Sequence, residues 1–103
     1  MNKSEKQILN CIGAGKVGVS LCNRLAEHVQ IGCIINTSKK SADQARELIA
    51  DNGIKTLGFN SMKEASAANF WMISCSDDNI NQVAKKLQEC KILRKNDIVF
   101  HCS

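Results

Sequence analysis

The chain has 103 residues, 44% of them hydrophobic and 23% charged, which makes one domain around a single core the natural count and argues against disorder. Its net charge of +4 is dispersed, with Lys39-Lys40 and Lys85-Lys86 as adjacent pairs, and aromatic residues are few, so nucleic acid is not an expected partner. No apolar run reaches membrane-span length, and the polar start Met1-Asn2-Lys3-Ser4-Glu5-Lys6 lacks a signal-peptide core, which predicts a cytoplasmic protein without membrane contact.

From Gln7 to Gly13 a short apolar run reads as a buried parallel strand. It leads into Gly13-Ala14-Gly15-Lys16-Val17-Gly18, and Val17, Leu21, Leu25 and Val29 then recur at helical spacing through about His28, giving one buried stripe. Strand, Gly-x-Gly-x-x-Gly turn and helix in this order form the context in which that spacing binds a dinucleotide. Gly13 makes the tight turn, Gly15 leaves bare backbone for a pyrophosphate, and Gly18 lets the helix pack closely on the strand. The free N–H groups and the dipole of the helix favour the ligand's negative charge.

A second strand, Ile31-Gly32-Cys33-Ile34-Ile35, ends at Asn36 and is followed by the polar turn Thr37-Ser38-Lys39-Lys40. Ser41 with Gln44 resembles a capping box for the next helix, which buries Ala42, Ala45, Leu48 and Ile49 and stops at Asn52-Gly53. A short third strand is expected around Ile54 to Leu57, and Ser61 with Glu64 caps a small helix running to about Ala67. Phe70 to Ser74 is the fourth strand. Cys75-Ser76-Asp77-Asp78 is its exit loop, with Asp77 or Asp78 capping a helix that turns Ile80, Val83, Ala84 and Leu87 inward. Asp97 to Cys102 is the fifth strand.

This alternation predicts an α/β fold, a doubly wound parallel sheet of Rossmann-like type with strand order 3-2-1-4-5 and helices on both faces. The six cysteines, at 11, 22, 33, 75, 90 and 102, form no Cys-x-x-Cys and no zinc spacing with histidine. They read as reduced core thiols, and no metal site is expected.

In such a sheet the ligand lies beyond the carboxyl ends of the strands, where the order reverses. The end of the second strand is where an acidic residue would grip the ribose hydroxyls of NAD. Here it carries Asn36-Thr37-Ser38-Lys39-Lys40, and no Asp or Glu occurs between Glu27 and Asp43. Hydroxyls and an ammonium suit a 2′-phosphate, so NADP (NADPH) is expected over NAD, with Thr37, Ser38 and Lys39 at the phosphate. The missing acid also disfavours FAD and S-adenosylmethionine, and no Walker-type motif is present.

Four stretches together are similar to the Rossmann-like N-terminal domain of the DUF2520 family, a group assigned as NADP-dependent oxidoreductases and usually joined to a C-terminal helical domain. They are Ile12 to Gly18, Asn36-Thr37-Ser38, Ser74-Cys75-Ser76-Asp77-Asp78-Asn79-Ile80 and Val99-Phe100-His101-Cys102-Ser103. More distantly the chain resembles pyrroline-5-carboxylate reductase, ketopantoate reductase and the F420-dependent NADP reductases. The family pattern commonly places an arginine in the turn after the second strand, where Lys39 stands here; lysine keeps the charge without the planar fork.

The resemblance implies that Cys75 and Ser76 border the ribose and nicotinamide. It also implies that substrate and much of the catalytic machinery come from a second domain absent from this chain. Asp77 reads as a helix cap or an acid, His101 as a proton donor or a packed or hydrogen-bonded residue, and Lys16 as a pyrophosphate contact or a solvent-facing lysine; no catalytic residue is singled out. The alternative function is a stand-alone NAD(P)-binding regulatory or sensing module without turnover. A chain ending flush with its last strand would leave apolar surface uncovered, so self-association into a homo-oligomer is a further expectation.

Overall fold

Five apolar runs become the five strands of one sheet. The computed structural model describes residues 6–50 and 53–102. Its elements are β1 (Ile8–Ile12), α1 (Lys16–Leu25), β2 (Gln30–Asn36), α2 (Lys39–Glu47), β3 (Lys55–Gly58), a 3-10 helix (Phe59–Glu64), β4 (Phe70–Ile73), α3 (Asp77–Glu89) and β5 (Ile98–His101). The sheet order is β3-β2-β1-β4-β5 and every pairing is parallel, so the order reverses between β1 and β4 as the alternation predicts. Cys22 of α1 and Ala42 and Ala45 of α2 join Leu9, Cys11, Ile34 and Met72 in the core on one face. Val83 and Leu87 of α3 join Ile12, Ile35, Trp71 and Ile73 on the other.

Of the buried polar residues of the sheet, one sits in the middle of its central strand. Asn10, in the middle of β1, is fully buried. Leu9 stands opposite Ile31 but Cys11 opposite Ile34, so β2 carries one extra residue at this point. Asn10 Oδ1 accepts the Cys33 N–H at 2.9 Å, and its Nδ2 donates to the Ser66 carbonyl at 2.8 Å. A side chain at Gly32 would meet it, since a Cβ there would lie 2.6 Å from Asn10 Oδ1.

The helix boundaries differ from those expected. α1 ends at Leu25, and Val17 is 52% exposed and outside the stripe, where Leu21, Leu25 and Val29 pack partly buried against the core beside the buried Gly18 and Cys22. The cap of α2 is Ser38, whose hydroxyl accepts the Ser41 N–H at 3.1 Å, three residues before the expected Ser41. The helix also stops early, at Glu47, with Leu48 exposed. Asn23 of α1 clasps its end, accepting the Ala50 N–H at 2.8 Å and donating to the Leu48 carbonyl at 2.9 Å. Of the expected stop, Asn52 lies outside the described residues, as does Ser103. Ser61 lies inside the 3-10 helix, whose N-cap is Gly58. α3 is capped at Ser76, so Asp77 and Asp78 are its first helical residues.

The turn into β5 rests on one carboxylate. Asp97 Oδ2 accepts the Arg94 N–H at 2.9 Å and the Trp71 indole N–H at 3.3 Å, while the Arg94 guanidinium pairs with Oδ1 and reaches the Ala68 carbonyl. Burial pushes the Asp97 carboxyl up, but the donors from Arg94 and Trp71 outweigh it and hold the acid below its ordinary value. A group depressed in the folded state stabilises the fold above its unfolded pKa, and that contribution is lost as pH falls through the folded value. The melting temperature is therefore expected to drop below about pH 4. In Asp97→Asn the acid limb of a melting-temperature profile should flatten; an unchanged limb would remove Asp97 as its source.

Candidate functional site

At the carboxyl end of β1 each glycine of the turn meets a different surrounding. Gly13 has φ +85°, a conformation that L side chains rarely adopt, and its N–H donates to the Ile35 carbonyl at 2.7 Å. Gly18 faces Ser74, where a Cβ would sit 3.0 Å from Oγ, so the glycine sets how closely α1 approaches β4. Gly15 differs from both. A Cβ there would meet nothing within 4 Å, and its φ is −89°. Neither packing around a Cβ nor a positive φ requires a glycine at Gly15.

The turn is braced from β2. Asn36, only 7% exposed, accepts the Ala14 N–H on Oδ1 at 2.7 Å and donates to Ser41 Oγ at 3.1 Å. Its side chain thus ties the glycine turn to the start of α2. The first intrahelical bond of α1 runs from Val19 N to Gly15 O at 2.9 Å, leaving the N–H groups of Lys16, Val17 and Gly18 at the helix mouth. Neither α1 nor α2 has an acidic residue in its first turn. Both helix mouths are therefore favourable to an anion.

Several hollows adjoin the turn, and two of them reach Cys75 at the carboxyl end of β4. One, of about 290 Å³, lies between the end of β2 and the start of α3; Gly13, Asn36, Thr37 and Cys75 line it, with Ile12, Ile35, Phe59 and Val83 as apolar walls. Asn60, Asn79 and Gln82 add three amides, of which the sequence analysis named none as a ligand group. Asn79 lies in a stretch singled out for its resemblance, whereas nothing local marks Asn60 or Gln82. The second hollow, about 340 Å³, is lined by Gly15, Lys16, Val17, Ser74, Cys75, Ser76 and Cys102. The crossover between β1 and β4 thus gathers most of the expected residues. Ser38 and Lys39 line neither hollow. Ser38 Oγ is engaged as the helix cap, and Lys39 Nζ is held by Asp43 and Thr56.

His101 is exposed on β5 and outside both hollows, which removes the packed-histidine alternative. Cys11, Cys22 and Cys33 are buried thiols, and Cys11 is pushed up by its hydrogen bond with Cys22 and by burial. Among the described residues no group of three or more His, Cys, Asp or Glu could hold a metal ion, and no helix is long and apolar enough to cross a membrane.

The chain belongs to the Rossmann-like domain family, whose model matches residues 3–103. No curated protein matches the sequence. Among solved structures it is similar to a Bacteroides fragilis protein assigned as an NADP oxidoreductase, with a TM-score of 0.77 and 16% identity over 95% of this chain and 36% of that one. It is also similar to prephenate dehydrogenase from A. aeolicus, solved with hydroxyphenyl propionate and NAD+, with a TM-score of 0.72 and 20% identity over 97% of this chain and 34% of that one. At such identities the likeness is one of fold, and the chain spans about a third of the length of either protein.

Proposed function

We infer that this member of the Rossmann-like family is the NADP-binding unit of an oxidoreductase. Gly15 carries the reading. Its missing side chain serves no packing need, and it opens onto the unbonded N–H groups of α1, which suits a pyrophosphate lying on bare backbone. The residues fit the rest of the dinucleotide. The apolar walls and amides of the 290 Å³ hollow suit an adenosine, and Ser74, Cys75 and Ser76 in the other hollow suit the nicotinamide ribose.

Thr37, Ser38 and Lys39 at the mouth of α2 are the groups that would meet a 2′-phosphate; the two hydroxyls and the backbone supply donors, and Lys39 the charge. Lys16 lines the second hollow and would lie beside the pyrophosphate. The bound dinucleotide supplies the hydride chemistry; this chain holds it and orients its ends across the crossover. The small-molecule substrate is assigned to polypeptide beyond these residues, the described chain being about a third of the proteins it resembles. Exposed Ile98 and Val99 on the edge strand β5 support self-association.

A thermal-shift titration with NADPH and NADH tests the reading. At about a hundred times its dissociation constant a ligand stabilises by about 2.7 kcal/mol, several degrees for a domain of this size. The expected result is a larger shift with NADPH. A larger shift with NADH would keep the dinucleotide and remove the phosphate site, and no shift with either would sink the reading for this chain.

A further inference from the structure

Lys39, the one cation at the ribose end of α2 assigned to the phosphate, does not point freely toward it. Its Nζ lies 3.2 Å from both carboxylate oxygens of Asp43, one helical turn on, and 3.3 Å from Thr56 Oγ1 of β3. These three contacts use the three N–H donors of an ammonium. The Thr56 hydroxyl donates in turn to Asp43 Oδ1, and Thr56 is 6% exposed, so the carboxylate is anchored from inside the sheet. The arrangement is asymmetric: Lys39 is 68% exposed and the more accessible partner, while Asp43 is 37% exposed and tied to β3 through Thr56. Arg46 stands 4.0 Å from Asp43 on its other side and can stay with the carboxylate when Lys39 leaves. At the helix start, a Cβ on Gly58 would lie 3.2 Å from Lys39 N, so β3 fixes the backbone from which the lysine swings.

We propose that Asp43 is a positioning residue for cofactor choice: it holds Lys39 against β3, so that a 2′-phosphate gains the lysine only by taking it from Asp43. The inference rests on the NADP reading above. A ligand without the 2′-phosphate leaves the Lys39–Asp43 pair intact and does not sense Asp43. A ligand with it must exchange one ion pair for another, which trims its advantage. Removing the carboxylate charge then releases the lysine to the phosphate, and the effect travels through Lys39 alone.

The experiment measures NADPH and NADH dissociation constants at low ionic strength for the whole chain and for Asp43→Asn, Asp43→Glu, Lys39→Ala and the double variant Asp43→Asn/Lys39→Ala. Thermal melts of each variant report folding. Exposed ion pairs of this kind couple weakly, so Asp43→Asn is expected to tighten NADPH binding about two- to fivefold while NADH binding stays unchanged. Asp43→Glu should return the wild-type ratio, and Asp43→Asn should have no effect once Lys39 is alanine. Equal changes for both dinucleotides, weaker NADPH binding, or an effect that persists without Lys39 would overturn the proposal. If Lys39→Ala leaves the NADPH-to-NADH ratio unchanged, the phosphate site itself fails. A Lys39 effect without an Asp43 effect overturns this inference alone, and binding of neither dinucleotide overturns both.

Discussion

Gly15→Val is expected to fold like the parent chain and to lose dinucleotide binding by two orders of magnitude or more. A Cβ at this position meets nothing within 4 Å, and the backbone there, at φ −89° and ψ −155°, is extended. Replacing glycine at a compatible position should even stabilise the fold slightly, by about 0.4–1 kcal/mol, through the unfolded chain. The new side chain would fill the space over the N–H groups of Lys16, Val17 and Gly18. Hydrogen bonds to a charged group contribute about 1.5–3 kcal/mol each, so losing two costs about a hundredfold or more in affinity. The check is a thermal melt beside an NADPH titration. A variant that melts lower and still binds would show that the glycine serves the fold and not a ligand.

Asn10→Ala is expected to do the reverse, striking the fold far from any ligand. It would leave the Cys33 N–H and the Ser66 carbonyl without their partner at the point where β2 carries its extra residue. Each buried polar group left unpaired costs about 1–3 kcal/mol, and the emptied space adds to it. A loss of about 3–5 kcal/mol is a large part of the stability of a domain this size and corresponds to a melting temperature lower by about 15 °C or more. Urea denaturation measures it. A loss below about 1 kcal/mol would mean that water or a relaxed strand replaces both bonds.

Asn10 also marks where sequence reasoning stopped. The strands, their order and the glycine turn were legible, because buried parallel strands read as continuous apolar runs and the turn needs glycines at fixed spacing. A single asparagine within such a run carries no local sign that it bridges a bulge, since its partners lie 23 and 56 residues away. The start of α2 was ambiguous for a different reason. Ser38 and Ser41 are both competent caps, and the choice depends on Asn36, which draws the Ser41 hydroxyl into the glycine turn. Val17 fits the helical period, yet α1 lies so close to β4 at Gly18 that the helix face turns and leaves it outside. The same limit applies to Lys39. Its charge was visible in the sequence, but the Thr56 hydroxyl that anchors its partner Asp43 comes from a strand 17 residues beyond the lysine.

The chain contains one tryptophan and no tyrosine. Trp71 is fully buried in β4, packed in the core under α3, with its indole N–H on Asp97. Light emitted under near-ultraviolet excitation therefore comes from a single indole in one dry setting. Its colour reports whether the sheet is assembled, and its proximity to Asp97 makes it an observer of the acid transition as well. A reduced nicotinamide absorbs where an indole emits, so a cofactor docked at the crossover would dim the same signal. Folding, protonation and occupancy of this molecule can be followed through one native chromophore, with no label attached.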